Sequence, residues 1–280
     1  MKFYKYHALG NDYIVLNPED AGENLSESQI QLICHRHYGI GSDGILLGPI
    51  ESSKCDFALR IFNPDGSEAE KSGNGLRIFS RYLWDHGFVQ EKPFSIQTVG
   101  GNVRSRVHQN GRMVDVEMGR ISFMSDQIPV TGEVREVINE TISAAGQEFV
   151  FCAASIGNPH CVIPLEYISE ELARRAGPEI EKDSRFPHRI NVQFMKILDR
   201  GRIRIEIWER GVGYTLASGS SSSAAAAVAY KLGLCDQKIT VEMPGGELNI
   251  LISLDFDITM SGSVTKVAEG IMSKELFSIE

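Results

Sequence analysis

The sequence has little that would staple, metallate or anchor a chain. Five cysteines, Cys34, Cys55, Cys152, Cys161 and Cys235, stand far apart and odd in number among 280 residues. They fit neither a disulfide framework nor a zinc ligand set and read as buried free thiols. None of the seven histidines forms a His-x-x-x-His pair beside an acid, so no metal is expected. No apolar run approaches the ~20 residues of a spanning helix. The opening "MKFYKYHALGNDYIVL" lacks the basic, apolar, small-residue order of a signal peptide. A cytoplasmic protein is the expectation. Positive charge is also short: 28 Lys and Arg face 37 Asp and Glu, a formal net charge of -9 spread over many short segments. That balance argues against nucleic acid and against an anionic membrane surface as partners.

What is present is alternation. Residues 3–16, 55–62, 94–107, 113–118, 150–164, 191–197, 202–208 and 239–252 read as strands separated by Gly, Asn and Asp turns. Helical periods appear at 26–37, 76–84, 168–176 and 224–232. The expected fold is a strand-rich α/β (α+β) chain with one buried helix in each half.

The same order of elements occurs twice. "FALRIFNPDGSEAEKSGNG" puts Asn63 nine residues before Ser72, and "RIRIEIWERGVGYTLASGS" puts Glu209 nine residues before Ser218. "SIQTVGGNVRSRV" matches "KITVEMPGGELNIL", and "LGNDYIVL" matches "IGNPHCVI", all at an offset of 145 to 147 residues. A sustained offset of this kind marks one unit used twice. The expected domains are residues 1–119 plus 263–280, the tail adding a strand, and residues 120–262. Two such copies packed face to face are expected to bring equivalent loops to a common, pseudo-symmetric cleft.

In each copy the segment before the helix is small and polar: Ser72, Gly73, Asn74 and Gly75, then Ser218, Gly219, Ser220 and Ser221. Free N–H groups at a helix start cap well with serine and also bind carboxylate or phosphate. The repetition favours an anion held by two helix N-termini. Neither segment has the Walker lysine or the strand, GxGxxG, helix order of a nucleotide site, so no such cofactor is expected. Asn11, Asn63, Asn158 and Asn191 can each donate and accept, which suits an amino acid with two polar ends. Arg210 offers a bidentate fork for a carboxylate, and His160 and Glu209 are the titratable candidates.

Together "HALGNDYIVL", "GIGSDGILL", "FNPDGSEAEKSGNG", "IGNPH", "RINVQF", "ERGVGYTLASGS" and "MPGGEL" resemble the diaminopimelate epimerases, over nearly the whole chain. The resemblance implies a cofactor-independent isomerase of lysine and cell-wall precursor synthesis, usually a homodimer. Its fold would be two pseudo-symmetric domains, each a mixed, strongly curved sheet around a central helix. By the same resemblance Asn11, Asn63, Asn158, Asn191 and Arg210 hold the distal end of the substrate. The backbone around Gly73, Asn74, Gly219 and Ser220 holds the reacting carboxylate, and His160 and Glu209 flank the stereocentre.

One departure bears on activity. Where this family carries two cysteines, one thiolate removing the alpha proton and the opposite thiol returning one, this chain has Ser72 and Ser218. A thiol titrates near ~8.5; if an alkyl hydroxyl is about five units weaker, forming its alkoxide costs on the order of 7 kcal/mol more. A helix N-terminus returns at most about 2 kcal/mol. Three readings stand open on the sequence: a laboratory replacement that leaves binding intact, a divergent isomerase of another amino acid or related acid with His160 or Glu209 as base, and a non-catalytic amino-acid-binding homologue.

Overall fold

Apolar alternation becomes strands, and the two all-buried helical stretches become the centres around which they pack. The computed structural model describes residues 1–22 and 24–278. It divides into two units, residues 1–116 with 261–280, and residues 117–260. In chain order the first comprises β1 (Lys2–Ala8), β2 (Asn11–Leu16), α1 (Pro18–Ala21), α2 (Glu27–Cys34), β3 (Ile45–Ile50), β4 (Phe57–Phe62), β5 (Glu68–Ala69), α3 (Gly73–Asp85), β6 (Phe94–Thr98), β7 (Gly101–His108) and β8 (Met113–Arg120), whose end leads into the second. The second continues with β9 (Glu140–Ala144), β10 (Gln147–Ser155), β11 (Pro159–Pro164), α4 (Glu170–Glu181), β12 (Asn191–Asp199), β13 (Arg202–Glu209), β14 (Gly213–Thr215), α5 (Gly219–Lys231), β15 (Lys238–Met243) and β16 (Gly246–Ile252). β17 (Asp257–Ser263) leads out of it, and β18 (Thr265–Ile271) returns to pair antiparallel with β1.

The two halves repeat the same ladder. In the first, β1 and β2 are antiparallel, β2 and β3 parallel, β3 and β4 antiparallel, β4 and β6 parallel, and β6 and β7 antiparallel. The second gives the same sequence of senses for β10, β11, β12, β13, β15 and β16. Small strands β5 and β14 sit on β4 and β13 at equivalent places. Each parallel step needs a crossover, and α3 and α5 supply equivalent ones.

One expectation is corrected. The sheets are mixed, but they are not strongly curled or closed. Among the described residues no register joins β18 to β8, which pairs with β7 and β17, and β9 pairs with the beginning of β10 in a separate sheet. Strong curling takes bulges or glycine kinks repeated along a ladder. Among the described residues the register shifts lie at Lys5/Tyr6 and Leu47/Ile50 in one half and at Ile197/Asp199 in the other, so most of each ladder runs in unbroken register.

α3 buries Leu76, Ile78, Phe79, Tyr82 and Leu83 against β1, β2, β3 and β7. α5 is buried on nearly every side from Ser221 to Ala229, against β10, β11, β12, β13, β15 and β16. Its serines and alanines let strands approach where larger side chains would hold them off. In both halves the first turn of this central helix is where the small polar residues lie.

Candidate functional site

Ser72 is the N-cap of α3, extended at φ -138 and ψ 119, and its hydroxyl accepts the Gly75 N–H at 3.0 Å. A Cβ at Gly75 would lie 3.2 Å from Ser72 Oγ and 3.0 Å from Leu46 Cδ2, so a larger residue there would have to displace both side chains. The hydroxyls of Tyr13 and Ser72 are 3.2 Å apart. One turn along, Arg77 donates to Asn74 Oδ1, Asn74 Nδ2 donates to Asn11 Oδ1 at 3.0 Å, and Asn11 Nδ2 donates to Asp43 Oδ2 at 2.9 Å. Asp43 is held by Arg36 at 2.7 Å, and Asp12 by Lys5 and Arg36 at 2.9 and 2.8 Å. Burial works to raise the Asp12 carboxyl, yet the hydrogen bonds from Arg36 and Lys5 hold it below the usual carboxylate range. Burial lowers the Lys71 ammonium beside the cap. Gly73 opens the helix. Asn63 is elsewhere engaged, closing the β4–β5 turn through its Nδ2 bond to Ser67 Oγ at 3.0 Å.

The second half builds its counterpart from β11, β13 and α5. Ser218, buried and extended at φ -146 and ψ 125, caps α5 by accepting the Ser221 N–H at 3.5 Å. Its Oγ is 3.5 Å from Ser220 Oγ. Asn158 Nδ2 donates to Ser220 Oγ at 3.4 Å, and Asn158 Oδ1 lies 3.0 Å from His160 Nε2. His160 is fully buried; burial lowers it to about 3, with a Gln193 hydrogen bond opposing and the Arg210 charge adding to the drop. Burial raises the Glu209 carboxyl, and hydrogen bonds from Ser218 and Thr215 limit the rise, the latter at 3.1 Å. Asn191 donates to the Pro159 carbonyl at 2.8 Å and accepts the Arg210 N–H at 3.0 Å, so it fixes the backbone at Arg210. The exposed Arg210 guanidinium donates to the His188 carbonyl at 3.0 Å. Gly219 and Ser220 form the first turn of α5.

Thus Asn11, Ser72, Gly73 and Asn74 gather at one helix start, and Asn158, His160, Glu209, Ser218, Gly219 and Ser220 at the other. Asn191 and Arg210 form a bonded pair in the second half, while Asn63 bonds to Ser67 within its own turn. Three participants were missed by sequence reasoning: Tyr13, Arg77 and Gln193. Gln193 is fully buried and donates to Ser221 Oγ at 3.1 Å. The available signal was a polar residue at an inward strand position, with Gln193 lying between Val192 and Phe194. Among the described residues no cluster of three His, Cys, Asp or Glu side chains is placed to hold a metal. None of their helices is long and apolar enough to cross a membrane.

The family pattern "Diaminopimelate epimerase" matches residues 3–124 and 152–267. Diaminopimelate epimerase 2 of Nostoc is 66% identical over 280 residues, covering 100% of this chain and 98% of that relative. The chain belongs to the diaminopimelate epimerase family. The diaminopimelate epimerase of Alkaliphilus metalliredigens is 36% identical over 280 residues, covering 99% of both. Beyond the family, the fold is that of a hydroxyproline epimerase from Agrobacterium vitis, with TM-score 0.68, 15% identity, and 96% and 91% of the two chains covered. A phenazine biosynthesis protein of the PhzF family from Bacillus anthracis gives TM-score 0.67 at 17% identity, covering 96% and 98%. Diaminopimelate epimerase membership places the chain among epimerases and isomerases that work without pyridoxal phosphate.

Proposed function

We propose that the protein binds a diaminopimelate-like amino acid through these polar helix starts, and that Ser72 and Ser218 leave it strongly impaired in two-base epimerisation. The observation that carries this reading is the unequal company of the two hydroxyls. Each is engaged in capping its helix, at 3.0 and 3.5 Å. Beyond the cap, Ser72 meets the Tyr13 phenol, whereas Ser218 meets the Glu209 carboxyl. A phenol does not take a proton from an alcohol, so the Tyr13 contact does nothing to offset the on the order of 7 kcal/mol alkoxide cost at Ser72. Inversion needs an alpha-proton acceptor on one side and a donor on the other. The N–H groups at Gly73, Asn74, Gly219 and Ser220 suit a substrate carboxylate and the charge that grows on it when the alpha proton leaves.

The test is incubation with LL- and meso-diaminopimelate in deuterated water, read by mass spectrometry. Little alpha deuterium is expected with the chain as it stands, and epimerisation is expected once Ser72→Cys and Ser218→Cys are combined. Rapid deuterium uptake by the unaltered chain would sink the proposal.

The Glu209–Ser218 link favours a second reading, a divergent isomerase with Glu209 as base. It requires a turnover, on some amino acid or related acid, that Glu209→Gln abolishes.

A further inference from the structure

We propose that Glu181 is a positioning residue: by taking the Gly211 N–H it fixes the Arg210–Gly211 peptide in one of the two orientations open to the β13–β14 turn, and so decides what that turn shows a ligand. Glu181 is the last residue of α4 and is 3% exposed. Its Oε1 accepts the Gly211 N–H at 3.0 Å and its Oε2 accepts the Trp208 indole N–H at 2.8 Å, while the exposed Arg189 reaches Oε1 at 3.4 Å.

The other bonds of the turn leave its central peptide undecided. The Val212 N–H closes the turn on the Glu209 carbonyl at 3.2 Å, and Asn191 holds the peptide before Arg210 by accepting its N–H at 3.0 Å. A four-residue turn keeps its closing bond in both type I and type II, which differ by a half-turn of the peptide between the second and third residues. Gly211 has φ +75 and Arg210 is not among the residues of positive φ, which is the type II pattern. Glycine permits that sign of φ but takes the other about as readily, so it does not choose. The acceptor on α4 does. In a trans peptide the C=O points opposite to the N–H, so with the Gly211 N–H on Glu181 the Arg210 carbonyl faces away from α4. After a half-turn the same side shows a ligand the Gly211 N–H, a donor in place of an acceptor.

Position and burial both count against a glutamate here. The C-terminal end of a helix disfavours negative charge, and removing a carboxylate from water is costly unless it is fully bonded. Glutamine is not equivalent, because a donor stands at each oxygen and an amide has one oxygen. With that oxygen on the Trp208 indole, a glutamine at 181 turns its N–H groups to the turn, where the Arg210 carbonyl of the reversed peptide accepts them. The sequence obscures the role, since Glu181 stands in "GPEIEKD", a charged run that reads as a solvated helix end.

The experiment records the turn in the 15N-labelled full chain by NMR and titrates meso-diaminopimelate by calorimetry. A type II turn brings the Arg210 Hα close to the Gly211 N–H and a type I turn separates them. The cross-peak between those two hydrogens is expected to be strong in the unaltered chain and weak in Glu181→Gln. Adding Trp208→Phe to Glu181→Gln removes the indole donor, frees the amide oxygen for the Gly211 N–H and is expected to restore the cross-peak. A role in stability alone predicts instead that the two substitutions add their losses. Binding is expected to weaken about tenfold in Glu181→Gln and to return within about threefold in the combined variant. An unchanged cross-peak or affinity in Glu181→Gln, or a further loss in the combined variant, overturns the proposal. The binding arm rests on the substrate reading above, whereas the turn signals do not. If the unaltered chain takes up no diaminopimelate, that reading fails and the cross-peak decides alone. Should Glu181→Gln not fold, Glu181→Met, which offers the Gly211 N–H no acceptor, takes its place with the same loss expected.

Discussion

Burial removes water from both ring nitrogens of His160, and the cost of charging the ring there makes two single residues opposite in their response to pH. His160 falls from its ordinary value to about 3, so the unfolded chain binds its proton first as pH drops. Its contribution is fully present above about 6.5 and is lost as pH falls toward about 3, at up to about 1.4 kcal/mol per pH unit. Glu209 behaves the other way. Its raised value means the folded chain holds the proton longer, so stability declines as pH rises from the ordinary carboxyl range through the raised one. Urea unfolding across pH should therefore show a shallower acid loss in His160→Gln than in the unaltered chain. Glu209→Gln should instead gain stability relative to it as pH rises above the ordinary carboxyl range. An acid limb of equal slope in His160→Gln would show that its burial is not what the folded state defends.

At the scale of an element, the caps of α3 and α5 look alike in sequence but differ in strength. Ser72 meets its N–H at 3.0 Å and Ser218 at 3.5 Å, the latter at the outer edge of a useful hydrogen bond. Ser72→Ala is expected to cost about 1 kcal/mol by chemical denaturation and Ser218→Ala at most about half of that; equal losses would refute the ranking. Gly177 in α4 gives a second contrast. Glycine inside a helix ordinarily gains about 1 kcal/mol on replacement by alanine. Here the new Cβ would lie 2.6 Å from Trp208, so Gly177→Ala is expected to lose about 1–3 kcal/mol. A melting temperature raised by that substitution would show that Trp208 yields easily. The alternating strands and the periodic centres of α2, α3 and α4 were legible in the sequence because one face of each is buried. β3 was not: "ILLGPI" is a continuous apolar run, and it is buried in parallel pairing beside β2, where alternation vanishes. The start of α5 was read five residues late, because "GSSSS" has the composition of a loop and only tertiary burial makes it helix. At the site, the capping serines and the Asn11, Asn158 and Glu209 positions were legible through repetition. Arg77 and Gln193 were not, since nothing local distinguishes a buried polar side chain from an exposed one.

For the whole molecule, the repeated ladder is cut differently in its two copies. The second unit is one continuous stretch, residues 117–260, while the first is completed only by residues 261–280. That return supplies β18 along β1, and the Met272 N–H donates to the Met1 carbonyl at 2.9 Å. Met272 is also buried among Ile14, Leu16, Ile30 and Ile33, with Leu276 and Phe277 packed at the margin of the same cluster. Removing the tail therefore leaves β1 with an open edge and strips a side chain whose burial is worth roughly 1.5–3 kcal/mol. A fragment of residues 117–260 carries all of α5 and its surrounding strands and is expected to unfold cooperatively in urea. A fragment of residues 1–116 is expected to unfold over a broad range and to bind a dye that reports exposed apolar surface, and a chain ending at residue 260 should lose its first transition early. If residues 1–116 alone unfold as sharply as residues 117–260, the returning strand does not complete the first half, and the two copies are equivalent in stability as well as in order.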